Sequence, residues 1–186
     1  MTGNPAHLPT LLQLEAEARR RDLVLRLKVG RPLGLLWTLQ AAVARRRPPG
    51  AAGGAGALEL LGDLKSWALP SRDGLRLDTM RVQGEGTAGV GWLLWSATFA
   101  WSLEATPCRR ATLLAIRDGE QQHRRLVRYF RQLGFEPWRE LGAAPADLPA
   151  RLQWGGAGLL MQGDCSEGLR RTARRLGLGG GGSGAC

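Results

Sequence analysis

Between Leu75 and Phe135 the chain switches repeatedly between strand-like and helix-like patterning, and this succession narrows the folds open to it more than any other feature. LRLDTMRV (Leu75 to Val82) reads as a strand, GEGTAGVG (84 to 91) as a glycine turn, and WLLWSATFAWSLE (Trp92 to Glu104) as an apolar helix. ATLLAIRD and EQQHRRLVRYFRQL follow as a second strand and helix, stopped by Gly134 before Phe135. Such alternation predicts an α/β chain (α+β in detail) with a central mixed sheet flanked by helices. A glycine turn that opens a helix presents free N–H groups and the positive end of the helix dipole, which suits a phosphate.

The first of these strands carries a second signal. Leu75 and Leu77 are apolar on one parity, whereas Met80 and Val82 are apolar on the other. A β-bulge produces this change of phase, because one extra residue turns every later side chain to the opposite face. A strand buried on both faces is the alternative reading.

On either side the chain is less specific. Residues 1–21 read as an N-terminal arm or short helix, and Leu23 to Val29 as a strand. Pro32 suits a helix start, and Leu33 to Arg46 shows helical spacing. An Ala/Gly-rich connector leads to an extended stretch from Ala57 to Leu69, with Gly62 marking a bulge. Pro70 to Gly74 then has the chemistry of a hairpin turn. Asp118 with Gln121 matches a capping box for the helix bearing His123, Leu126, Val127, Phe130 and Leu133 on its apolar face. Arg124, Arg125, Arg128 and Arg131 occupy its other face. Two more strands are expected at Phe135 to Leu141 and Leu152 to Met161. The reading is one domain over 22–162, followed by a basic, glycine-rich tail (163–186) expected to be disordered.

Composition removes several function classes. Three cysteines without a CxxC give no disulfide framework, which fits a reducing, cytoplasmic compartment. Two histidines without HExxH leave no zinc-protease site, so no metal is expected, and GxSxG is absent. The longest apolar run falls short of a membrane span, so none is expected. A net charge of +10, carried by arginine except at Lys28 and Lys65, is compatible with nucleic acid or other polyanions.

Gly84 to Gly89 also matches GxGxxG, but a dinucleotide site needs that turn at the first βαβ unit with an acid about 20 residues later. Shifted by two, Gly86-Thr87-Ala88-Gly89-Val90-Gly91 resembles the pyrophosphate loop of the GNAT superfamily of acyl-CoA N-acyltransferases, whose pattern is Gln/Arg-x-x-Gly-x-Gly/Ala. In that family the loop follows a bulged strand and opens a helix. Phe130-Arg131-Gln132-Leu133-Gly134-Phe135 is similar to the family's Tyr-x-x-Leu-Gly-Phe helix end, and the chain from about Leu75 to Met161 resembles a GNAT-like subgroup. Gly86 stands where Gln or Arg is usual, Phe130 where the proton-donating tyrosine is usual, and His123 where an asparagine is usual.

The resemblance implies a GNAT-like fold and an N-acetyltransferase that moves acetyl from acetyl-CoA to an amine by direct attack. It implies that Met80, Arg81 and Val82 hold the thioester carbonyl through backbone N–H groups. Gly86, Thr87, Ala88, Gly89, Val90 and Gly91 would hold the pyrophosphate. Asp78, nearest the bulge, is the preferred base over Glu104 and Asp118. His123 and Tyr129 complete the candidate catalytic set, with Tyr129 about 100° round the helix from Phe130 and so not expected to replace the missing acid directly. Two other expectations stand beside this one: a catalytically inactive CoA-binding or interaction module of the same fold, and a basic nucleic-acid-binding protein.

Overall fold

A computed structural model describes residues 8–47, 57–84 and 87–178. Seven strands form one mixed sheet: β1 (Leu23–Gly30), β2 (Trp37–Arg46), β3 (Leu58–Ala68), β4 (Leu75–Val82), β5 (Arg110–Ile116), β6 (Phe135–Leu141) and β7 (Gly158–Asp164). Their order is β1-β2-β3-β4-β5-β7-β6, and only β4 and β5 run parallel. The helices are α1 (Leu11–Arg20), α2 (Val90–Ala105), α3 (Glu120–Gln132), α4 (Leu148–Trp154) and α5 (Cys165–Arg175). Among the described residues no helix is long and apolar enough to cross a membrane.

The core forms around α2, whose residues from Leu93 to Ser102 are all buried. This helix packs against β2, β3 and β4 on one side and against α1 and α5 on the other, which is why it is apolar all round. Its buried hydroxyls find partners within the protein, whereas the buried Trp101 Nε1 has none among the described residues. Ser96 Oγ donates to Thr172 Oγ1 of α5 at 2.7 Å, and Thr98 Oγ1 donates to Leu94 O at 2.9 Å. Thr106 Oγ1 bonds Ser102 O at 2.7 Å and Pro107 follows, so the helix ends there. Glu104, at its C-terminal end, accepts a hydrogen bond from Leu11 N and so caps α1, a structural role for that carboxylate.

Several local expectations change. Leu33 to Arg46 is not a helix: Pro32 opens only a single 3-10 turn (Pro32–Gly34), and β2 follows. Buried Leu39, Ala41 and Val43 alternate along β2, and pairing with β1 and β3 on both edges outweighs its helical spacing. Leu152 to Trp154 belongs to α4, and the last strand is β7, which continues to Asp164. The tail boundary also moves. Cys165–Arg175 is helical, with Cys165, Leu169, Thr172 and Ala173 buried against the core. Asp164 caps it by accepting from Ser166 N and Glu167 N, so burial and capping order a segment whose arginines suggested disorder. Residues 179–186 lie outside the described residues. Finally, α3 starts after Gly119 with no side-chain cap, so Asp118 is not its N-cap.

Candidate functional site

Between β3 and β4 the register runs Lys65 opposite Thr79 and then Ser66 opposite Leu77, which leaves Asp78 as the extra residue of a β-bulge. The expected change of phase therefore has its structural counterpart at Asp78. A second irregularity pairs Val43 with Gly62 and Ala44 with Leu60, so β3 bulges beside Gly62 as well.

Bulging bends a strand and increases its twist, and β4 departs from β5 at this point. The two pair only through Leu75–Ala111 and Arg76–Thr112, whereas β5 pairs with β7 along its whole length. Beyond Arg76 no strand of the described residues lies beside that edge of β4. A cleft of about 410 Å³ occupies the opening. Its walls are Leu77, Asp78, Thr79 and Met80 from β4, and Leu113, Leu114 and Ile116 from β5. Trp95 of α2 and Leu126, Tyr129 and Phe130 of α3 close it.

The glycine turn abuts this cleft. Gly89 has φ +85° and is the N-cap of α2, with Leu93 N donating to its carbonyl at 2.9 Å. A non-glycine residue there would be strained. Among the described residues no side chain caps the helix and no acid lies in its first turn, so none of them compensates its outward N–H groups and dipole. Instead, cations gather. Arg21 Nη1 lies 2.9 Å from where a Cβ on Gly89 would sit, while Glu17 and Leu176 O each hold another nitrogen of the same guanidinium at 2.7 Å. The Arg175 guanidinium stacks 5.7 Å over the Trp92 ring. Glu17 already pairs with Arg21, so Nη1 is the nitrogen of that guanidinium left toward the turn, where an anion would be favourable. A Cβ on Gly91 would lie 3.1 Å from Met80 Cε and 3.7 Å from Tyr129 Oη, so turn and cleft are continuous.

Tyr129 Oη accepts a 2.8 Å hydrogen bond from Trp95 Nε1. Burial raises its pKa above the ordinary tyrosine value, partly offset by that bond, so the hydroxyl retains its proton at neutral pH. Neighbouring Phe130 packs edge-on against Trp95 and Phe135 and serves as wall. One residue's rotation along α3 does not take Tyr129 out of the cleft, because both rings line it. Asp78 is exposed at the bulge and makes no ion pair among the described residues.

Other candidates fall elsewhere. His123 does not line the cleft; its ring is buried and Nδ1 lies 3.3 Å from Ile116 O, where it ties α3 to the end of β5. Met80 and Val82 line the cleft, but Arg81 is exposed and pairs in register with Asp63. Val90 N is already bound to Thr87 O at 3.0 Å, which leaves the later first-turn amides for a ligand. Thr87, Ala88 and Gly89 form the turn and Val90 and Gly91 open α2, whereas Gly86 lies outside the described residues. Arg124, Arg125, Arg128 and Arg131 are exposed on α3. Among the described residues no cluster of His, Cys, Asp or Glu could hold a metal ion. Sequence reasoning missed Arg21 and Trp95 at the site. Arg21 carries no local signal at all, and Trp95 blends into an apolar helix.

No protein-family model matches the chain, and no curated protein matches it either.

Proposed function

We propose that this chain is an acyl-CoA-dependent N-acetyltransferase of the GNAT type, acting on an amine. The observation that carries the reading is the continuity of a β4 edge, opened at a bulge, with a helix N-terminus at Gly89, neither of them matched by a partner among the described residues. An extended chain with amide groups, such as pantetheine, fits the first as an added strand, and a pyrophosphate fits the second. Arg21 and Arg175 supply the charge that the phosphates require.

The chain's own residues then have distinct tasks. Backbone groups of β4 beside Asp78 face the position of the thioester carbonyl. Asp78 takes a proton from the acceptor ammonium, freeing the nitrogen lone pair. As the C–N bond forms and the C–S bond breaks, Tyr129 gives its hydroxyl proton toward the departing sulfur. The second amine proton then returns the phenolate to the phenol. The apolar walls exclude water, which would otherwise compete for the thioester.

Calorimetric titration with acetyl-CoA and with CoA tests the reading. Micromolar binding by the folded protein, lost in Gly89→Glu and weakened in Arg21→Ala, is the expected result. Absence of binding by the folded wild type overturns it, and binding without turnover on any amine would leave an inactive module.

A further inference from the structure

The acyltransferase reading leaves its amine unnamed, and a second depression identifies its chemistry. On the face of the sheet away from α2, one cross-strand row runs Lys28–Gln40–Lys65–Thr79 through β1 to β4. A depression of about 330 Å³ lies over it, with Lys28, Thr38, Gln40, Lys65, Trp67 and Asp78 in its walls. Lys65 and Asp78 also line the acyl cleft, so the two spaces meet at those side chains.

Charge in this depression is unspent. Lys28 and Lys65 are the only lysines in a chain with 26 basic residues, and both are exposed here. Neither makes an ion pair among the described residues, and neither does Asp78. The lysines stand two strands apart, roughly 10 Å between backbones, with the Gln40 amide between them. Flexible ammonium groups at that spacing converge on one small anion, and an amide can donate to the same group. At the other end, Asp78 is placed for an ammonium, beside the cleft where the acyl group arrives.

We infer that this depression is the acceptor site, and that the acceptor is a small primary amine carrying an anionic group, a carboxylate or a phosphate. This rests on the acyltransferase reading. Lys28, Gln40 and Lys65 hold the anion while Asp78 receives the ammonium and takes its proton. The nitrogen then forms its bond to the thioester carbonyl carbon as the carbon–sulfur bond breaks. Amide and thiol leave, and the proton on Asp78 passes to water.

The test compares matched amines with acetyl-CoA: 4-aminobutyrate against butylamine, and 2-aminoethyl phosphate against ethanolamine. Each is also titrated calorimetrically into wild type, Lys28→Gln and the Lys28→Gln/Lys65→Gln pair. The expected result is a KM for the anionic member roughly three- to tenfold below that of its neutral partner, a modest margin because exposed ion pairs are weak. That margin shrinks in the variants and at high salt. A preference for only one of the two anionic members assigns the anion as carboxylate or phosphate. Anionic-amine binding that is lost in the variants upholds the site even without turnover, and the acyltransferase reading alone then falls. Equal KM values within the pairs, no calorimetric binding of either anionic amine, or a preference unaltered by both lysine variants overturns the inference.

Discussion

Trp95 Nε1 donates to Tyr129 Oη at 2.8 Å, joining the helix behind the glycine turn to the helix beyond β5 across the cleft. Because the phenol uses an acceptor lone pair in this bond, its own proton stays available. Helix α3 thus presents two adjacent rings to the cleft, and the one with a hydroxyl stands a position earlier than the sequence resemblance expects.

On the proposed function, Tyr129→Phe lowers kcat about a hundredfold or more, within the range of a lost general acid, with little change in affinity for acetyl-CoA. Phe130→Tyr brings no comparable gain, since the donor is already present. The raised tyrosine pKa keeps the donor limb of the pH–rate profile flat beyond the ordinary value near 10. The sign follows for stability too: the neutral phenol's contribution is complete below that value and is lost as pH rises through the higher folded one. Unchanged kcat in Tyr129→Phe would remove Tyr129 from the mechanism.

How far the sequence could lead depended on how local each feature is. The bulge at Asp78 was legible because Leu75, Leu77, Met80 and Val82 record its phase directly. β2 was not, since Ala41, Ala42 and Ala44 suit helix as well as strand, and only distant partners decide between them. α5 was obscured by its arginines, although Cys165, Leu169 and Ala173 repeat at four-residue spacing and form its buried stripe. The cleft itself has no local code. It exists because β4 and β5 pair for only two residues, a property of the sheet as a whole.

Gly168 offers a measure of how tightly α5 belongs to the core. A Cβ there would meet Phe99 Cε2 at 2.7 Å, so α5 approaches α2 as closely as a glycine permits. Gly168→Val should destabilise the fold by about 1–3 kcal/mol through overpacking, despite the usual gain on replacing a helical glycine. A urea midpoint equal to or above wild type would show that α5 does not pack on α2 in this way.

Burial pushes the Cys165 thiol up to about 12, against a weak opposing contact with Ser102 Oγ at 3.7 Å. Its thiolate fraction at pH 8 should be roughly three orders of magnitude below that of an exposed cysteine. In a Cys186→Ala background, alkylation at pH 8 should therefore spare Cys165 until denaturant is added. The thiol's contribution to stability is full below its ordinary value and declines as pH climbs toward about 12. Rapid native labelling of Cys165 would contradict its burial against α2.

The turn after β6 provides the acid-side counterpart. Gly142 N donates to Asp147 Oδ2 at 2.9 Å and Arg139 Nη2 donates to Oδ1 at 2.6 Å. The backbone bond from Gly142, and then Arg139, hold the Asp147 carboxyl below the ordinary carboxylate range. A depressed folded value stabilises above the ordinary value near 4, and that contribution is lost as pH falls through the folded one. Asp147→Asn should therefore lower Tm at pH 7, because an amide oxygen can replace only one of the two acceptors and its NH2 group opposes Arg139. The difference from wild type should narrow as pH is taken down past 4, where the carboxyl of the unfolded chain binds a proton before the folded one does. Thermal melts of both proteins at pH 7, 5 and 3 would decide it. A Tm gap that stays constant across that range would mean that shape alone, and not the charge on Asp147, holds the turn that carries β6 into α4.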